Sequence, residues 1–226
     1  MKNILIPLAL LVTSGAALAQ NTVGQYQEGV HFHKIDPPLN GQAADGVRVT
    51  EVFSYLCNHC ATFEPYMQAW KGRKPEGVEL TRIPVEFGRA IWGLYARAYV
   101  TASVLGVADE THVAMMDALW KDRRQMRSME EIADFYADQG VDRDKFLATS
   151  KSFAVDMRMK NEQKMVREAG VSGTPAMLVN GKYRVSAGGP VGSFDMMLDV
   201  VDALVASEQA AQTAATSATD EAVASQ

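Results

Sequence analysis

Two cysteines three residues apart, set between a strand-like run and a helix-like run, constrain this chain more than any other feature. The stretch reads Phe53-Ser54-Tyr55-Leu56-Cys57-Asn58-His59-Cys60-Ala61-Thr62-Phe63, and Cys57 and Cys60 are the only cysteines in 226 residues. Val47 to Phe53 is rich in β-branched and aromatic residues, the composition of a buried strand. After Cys60, the residues Phe63, Met67 and Trp70 recur at helical spacing. The spacing therefore puts Cys57 at or near the first turn of a helix. The free N–H groups and the positive dipole end there favour a thiolate over a thiol. A protonated His59, or one whose ring N–H points at the sulfur, adds to the effect. An exposed, low-pKa Cys57 with Cys60 nearby is an attacking thiol with its own resolving partner.

Three other readings compete on the residues alone. A structural disulfide closing so short a loop stabilises by only about 2 kcal/mol on the chain-entropy formula. A zinc site wants four clustered ligands, whereas His31, His33, His59 and His112 are scattered, so no metal is expected. Haem attachment requires His after the second cysteine, and Ala61 stands there.

The N-terminus bears on which reading holds. Lys2, an apolar core from Ile4 to Val12 broken only by Pro7, and Ala17-Leu18-Ala19 form a secretory signal peptide over 1–19, cut before Gln20. It is too short to remain as a membrane span, and no later run is apolar enough, so a protein not embedded in the membrane is expected. A formal charge of −5 argues against a nucleic-acid partner. About 200 mature residues bury an adequate core without staples. In an oxidising compartment, a single close pair is then better explained as a reagent than as a rivet.

The remaining chain is legible in outline. Val30 to Ile35 reads as an edge strand ended by Pro37-Pro38, with His31 and His33 on a solvated face. Glu51, six residues before Cys57, has two readings: a strand end facing water, or a buried proton acceptor below the cysteines that needs a partner. Pro65 predicts a kink in the helix after Cys60. Val78 to Val85 reads as a strand, so strand, helix and strand make a βαβ unit with a parallel pair. From about Trp92 to Gly170 the pattern is wholly helical, with a capping box at Ser128-Met129-Glu130-Glu131, a cap at Asp142 and closing glycines at Gly140 and Gly170. So much helix between strands indicates an all-helical subdomain inserted into an α/β domain. Its methionines suit irregular core gaps, or alternatively a surface for varied chains. Ala176 to Val179, Asn180-Gly181, and Lys182 to Val185 predict a hairpin with a type I′ turn. Pro175 at the strand entry can hold a cis bond, and its loop leaves backbone groups free to pair with an extended peptide. Ser193 caps a last amphipathic helix. The Ala/Ser/Thr-rich residues 207–226 are expected to be a disordered tail.

Phe-Ser-x-x-Cys-x-His-Cys with Phe63-Glu64 after it, a helical insertion, and then Gly170-x-x-Gly173-Thr174-Pro175-Ala176-Met177-x-Val179-Asn180-Gly181-Lys182-Tyr183 strongly resemble the DsbA family of periplasmic thiol:disulfide oxidoreductases. The resemblance covers the mature chain except its tail. It implies a thioredoxin-like fold divided as 20–88 and 171–206, with the helical insertion at 89–170. It implies that Cys57 is the nucleophile, Cys60 the buried resolving thiol, His59 the stabiliser of the thiolate, Pro175 the cis-proline facing the disulfide, and Glu51 the buried acid beneath the cysteines. Arg82 stands where a lysine near that acid is frequent, and its fixed guanidinium would pair Glu51 more permanently than an ammonium. Asn58, in place of the usual proline, bears on redox poise, and Thr174 stands where valine is commoner. The implied activity is donation of the Cys57–Cys60 disulfide to reduced or unfolded secreted polypeptides, with no cofactor besides that disulfide. A membrane reoxidant of the DsbB type is the implied partner, and a monomer is the default state. A disulfide reductase or isomerase, and a non-catalytic chaperone-like module, are the alternatives.

Overall fold

The computed structural model describes residues 22–40, 43 and 46–224, with side chains to residue 217, so the signal peptide expected over 1–19 lies outside the described residues. Thr22–Val23 (β1) and Tyr26–Gln27 (β2) make a short antiparallel ribbon. The expected edge strand shortens to His33–Lys34 (β3). Val47–Phe53 (β4), Asn58–Arg73 (α1) and Val78–Pro84 (β5) follow as the βαβ unit, with β4 and β5 parallel. Gly46, at φ +75°, feeds β4: a Cβ there would lie 2.0 Å from the Gly77 carbonyl oxygen, which accepts the Val47 N–H.

The helices then run Ala90–Val104 (α2), Ala108–Trp120 (α3), Met129–Asp138 (α4), Arg143–Ser150 (α5) and Phe153–Glu168 (α6). Ser128, Asp142 and Ser152 accept from backbone N–H groups three residues on, as N-caps do. The capping box is shifted, however, for Glu131 accepts from the Arg127 N–H. Ala176–Val179 (β6) and Tyr183–Ser186 (β7) form the hairpin, with Asn180 and Gly181 both at positive φ as a type I′ turn demands. Lys182 belongs to that turn, so the second strand begins one residue later than its pattern suggests.

The main sheet has the order β3-β7-β6-β4-β5, and β6 and β7 are antiparallel to their neighbours. Alternation along β4 sorts the layers. Val47 and Val49 face Phe63, Met67 and Trp70 of α1 and the apolar stripe of Phe194–Ala224 (α7). Val52, with Ile83 and Leu178, faces Val166 and Ala169 of α6. Helices α2 to α5 form a separate core around Met115, Ile132, Tyr136 and Phe146, which closes onto Phe53 and Tyr55 at the end of β4. Within the stretch 89–170, Val155 and Met159 of α6 join the helical core, while Val166 near its end and its C-cap Ala169 pack on the second sheet face. Met115, Met116 and Met126 fill the helical core.

The tail expected to be disordered from residue 207 is helical through Ala224. Its composition has little to bury, but three polar side chains anchor it. Buried Glu208 accepts from Asn180 Nδ2 and Lys182 Nζ at 2.7 Å each, and Gln209 and Gln212 donate to the Glu76 and Gly46 carbonyls. Glu208→Ala will leave Asn180 buried without its acceptor and is expected to lower stability by about 1–3 kcal/mol. Urea unfolding reads this directly, and an unchanged midpoint would mean that the extension of α7 is not part of the folded unit.

Candidate active site

The chain leaves the centre of the sheet at Phe53 and reaches α1 through Ser54-Tyr55-Leu56. Ser54 holds this turn, its Oγ accepting from Leu56 N and its carbonyl from Cys57 N, both at 3.1 Å. Cys57 is the N-cap residue of α1, with extended dihedrals, and its side chain makes no capping bond. Its sulfur is therefore left facing the free N–H groups of the first turn. Cys60, one turn on, is wholly buried on the stripe that continues through Phe63, Glu64 and Met67. Both cysteines are free thiols.

The two sulfurs are driven in opposite directions. The Cys60 thiol, donating to Cys57, is the largest influence lowering the Cys57 pKa from 9.0 to about 5. Burial opposes this, while Thr174 and the backbone N–H groups of Cys60 and His59 assist it. The Thr174 carbonyl, 3.4 Å from Cys57 Sγ, can accept only from a protonated thiol. The help from Thr174 must then come from its hydroxyl. For Cys60, burial and its bond to the neighbouring sulfur both push the pKa strongly up. The two shifts favour a thiolate at Cys57 and a thiol at Cys60, and Cys57, expected to be exposed, is itself nearly buried at 8%.

Glu51 is buried and paired, as the second of its two readings requires. Residue 59 assists ionisation through its backbone amide, which at the second position of the helix points toward the sulfur, and the residue also lines the cavity on the Thr174 side. Glu51 is buried on the sheet face that α1 covers, and its partner is Arg82 rather than either sulfur. The parallel register sets them side by side, with Arg82 Nε donating to Glu51 Oε2 at 2.8 Å. Burial raises the Glu51 pKa and Arg82 offsets only part of that; its second oxygen has no partner.

Three further groups complete this cluster: Glu64 of α1, His112 of α3 and Tyr55. His112 Nε2 lies 3.1 Å from Glu64 Oε2, and its Nδ1 lies 3.1 Å from the Tyr55 hydroxyl. Burial pushes Glu64 up, but the His112 hydrogen bond and the charge of Arg82 more than reverse it, and its pKa is lowered. The sequence held one signal for Glu64, a carboxylate on the same helical stripe as Cys60, Phe63 and Met67. His112 carries no such signal, since it meets the cluster only through the packing of α3. Glu51, Glu64 and His112 converge closely enough to suggest a cation site. The Arg82 guanidinium already supplies the positive charge among them, which fits a structural ion network.

Thr174–Pro175 is a cis peptide bond, and its loop faces Cys57. Asn58 is exposed at the first position of α1, its side chain pointing away from that loop toward the helical subdomain. On the Thr174 side, His59, Thr62, Tyr66, Pro175, Val191 and Phe194 line a cavity of about 660 Å³. This arrangement suits nucleophilic sulfur chemistry on an extended chain lying against the Thr174-Pro175 backbone.

Two consequences are measurable. Ultraviolet thiolate absorbance of the reduced protein is expected to titrate with a midpoint near 5, and Cys57→Ser will abolish that transition. Because the folded value is depressed, the thiolate stabilises the reduced form fully above the unfolded value near 9, and that contribution is lost as pH falls through about 5. Arg82→Ala, which leaves Glu51 buried and unpaired, is expected to destabilise by about 3–5 kcal/mol in denaturant melts.

Comparison with known proteins accords with this geometry. Residues 92–202 match the family described as DSBA-like thioredoxin domain. A thiol:disulfide interchange protein DsbA of Pseudomonas aeruginosa is 34% identical over 214 residues, covering 93% of this chain and 99% of the relative. The DsbA of Azotobacter vinelandii is 40% identical over 169 residues, covering 74% of this chain and 77% of its own. The crystal structure of Pseudomonas aeruginosa DsbA superposes with a TM-score of 0.76 at 34% identity, covering 83% of this chain and 97% of that one. A strand–Cys-x-x-Cys–helix junction with two oppositely driven sulfurs, in a chain this similar to such relatives over most of its length, leaves one conclusion: the chain belongs to the DsbA family of thiol:disulfide oxidoreductases, which act in oxidative protein folding.

Proposed function

We propose that this protein is an exported dithiol oxidase that gives up its Cys57–Cys60 disulfide to newly secreted polypeptides. The observation that carries this reading is the opposed tuning of the two sulfurs, with Cys57 lowered to about 5 and Cys60 raised by burial. A substrate thiolate attacks Cys57 Sγ of the oxidised pair. The Cys57–Cys60 bond breaks, a substrate–Cys57 disulfide forms, and Cys60 leaves as a thiolate that takes up a proton. A second substrate thiolate then attacks the substrate sulfur of this mixed disulfide. The substrate departs with its own disulfide, and Cys57 departs as the thiolate, the pair having gained two electrons. Stabilising that thiolate makes Cys57 a good leaving group and the reduced form the favoured one, a relation for which DsbA proteins are themselves the standard case.

The substrate chain lies extended along Thr174-Pro175, where backbone hydrogen bonds give affinity with little sequence preference. The Thr174 carbonyl at 3.4 Å from Cys57 Sγ supports this placement. His59 and Asn58, at the start of α1, tune the thiolate, and Glu51 acts below the helix through its ion pair with Arg82. The redox carrier is the cysteine pair itself, with no further cofactor. Turnover needs an oxidant, which in this reading is a quinone-linked membrane partner of the DsbB type. The signal-peptide pattern at 1–19 supports work in the periplasm, with a monomer as the default state. No helix among the described residues is long and apolar enough to cross a membrane.

The test is the redox equilibrium of the pair against glutathione, run with oxidation of a dithiol peptide. A pair half-reduced even in strongly oxidising mixtures, with peptide oxidation lost in Cys57→Ala, is the expected result. A pair that stays disulfide-bonded until the buffer is strongly reducing overturns it in favour of a reductase. Function that survives Cys57→Ala overturns it in favour of a binding module.

A further inference from the structure

On the Asn58 side of Cys57, away from the Thr174-Pro175 loop, lies a second cavity of about 640 Å³ between the active-site turn and the helical subdomain. Leu56 and Asn58, the chain neighbours of Cys57 on either side, line it. Two large apolar side chains on its wall are left open to solvent, Ile91 at 42% and Trp120 at 38% exposed. The Trp120 indole is locked in place, its Nε1 donating to the Tyr55 carbonyl at 2.8 Å. Arg123, Arg124 and Arg127 complete the wall, and no carboxylate is among the lining residues.

The three arginines differ in how far they are engaged. Arg124 is paired with Asp138 at 2.8 Å. The Arg127 guanidinium donates to Gln125, a neutral acceptor, while the neighbouring Glu131 carboxylate accepts from the Arg127 backbone N–H rather than from the guanidinium. Arg123 is exposed and has no carboxylate partner among the described residues. It also sits at φ +55°, in the left-handed region, in the turn that the Arg124 N–H closes onto the Ala118 carbonyl. Glycine or asparagine is the low-strain choice there, so an arginine is held at a position its backbone does not favour. In a chain of net charge −5, this places uncompensated positive charge and a fixed aromatic face beside the nucleophile.

We infer that this cavity is a substrate subsite for acidic segments: it receives carboxylate side chains of a substrate polypeptide next to its reacting cysteine, on one flank only. The inference rests on the disulfide-donor reading above and adds a substrate class to it. Charge complementarity supplies recognition, and continuity with Leu56 and Asn58 supplies the register. Unpaired guanidinium groups act here mainly on encounter and orientation.

The experiment uses the full mature chain in its oxidised form and three dithiol peptides. These carry Gln on both flanks of the attacking cysteine, Glu on its N-terminal flank, or Glu on its C-terminal flank. Acidic flanks raise a peptide thiol's own pKa, so each rate is compared between the wild type and an Arg123→Gly/Arg127→Ala variant. Arg123→Gly suits the left-handed turn, so the variant is expected to fold, and its circular dichroism and melting curve check this. The expected result is that one Glu peptide, and not the other, loses roughly tenfold in rate on going to the variant at low ionic strength. The Gln peptide keeps its rate, and the difference disappears at about 1 M salt, where the Debye length is about 3 Å. Equal losses for both Glu peptides would indicate a diffuse field and overturn the subsite, as would no loss for either. Failure of wild type to oxidise even the Gln peptide would instead overturn the disulfide-donor reading, and this inference with it.

Discussion

The negative sulfur of Cys57 depends first on the Cys60 thiol that donates to it and then on the free N–H groups of the same first turn of α1, and much of the fold serves to hold that turn. Strand β4 delivers the chain from the middle of the sheet, with Val47, Val49, Val52 and Phe53 fully buried. Two bonds to Ser54 fix the short loop. Phe63, Met67 and Trp70 then clamp α1 to the sheet along its whole length, and the Trp70 indole donates to Asp202 of α7 at 2.6 Å. Motion of the helix start by even a fraction of a turn would misalign the dipole and both amides, whose influence falls off within that turn.

Under the same helix lies a second group of charges. Arg82 sits among three carboxylates, bonded to Glu51, 3.3 Å from Asp109, and 3.9 Å from Glu64. These four residues come from β4, β5, α1 and α3, so one guanidinium ties the sheet, the catalytic helix and the helical subdomain together. A delocalised, always-charged fork suits this task better than an ammonium, which loses its proton more readily when buried. Such a network contributes less to net stability than its bonds suggest, because burying the charges offsets much of their attraction. What it gives is a fixed relation between the elements that meet at the active site.

The reaction centre was legible because its logic is local. A strand pattern, two cysteines and a helix pattern within one short stretch dictate where the sulfurs sit, and Gly-Thr-Pro before a strand signals the facing loop. The βαβ unit, the hairpin turn and the helix caps were readable for the same reason. What stayed hidden depends on packing. His112 enters the cluster only through the angle of α3. The extension of α7 hangs on Glu208, a single acid in an Ala-rich run whose value comes entirely from Asn180 and Lys182 across the fold. Residue 59 adds a backbone amide to Cys57 that its place in the helix supplies whatever its side chain.

The complete burial of Cys60 has a temporal meaning. A thiol kept dry and protonated is slow to recapture Cys57 from a mixed disulfide, because only its thiolate can attack. The lifetime of the covalent complex is then set from outside, by how soon the client presents a second sulfur. A client whose cysteines are already close in space leaves quickly with its bond made. One whose partner cysteine is still far away stays tethered while it goes on folding. On the disulfide-donor reading, one sulfur withheld from water thus turns the pair into a timer that waits on the conformation of its client.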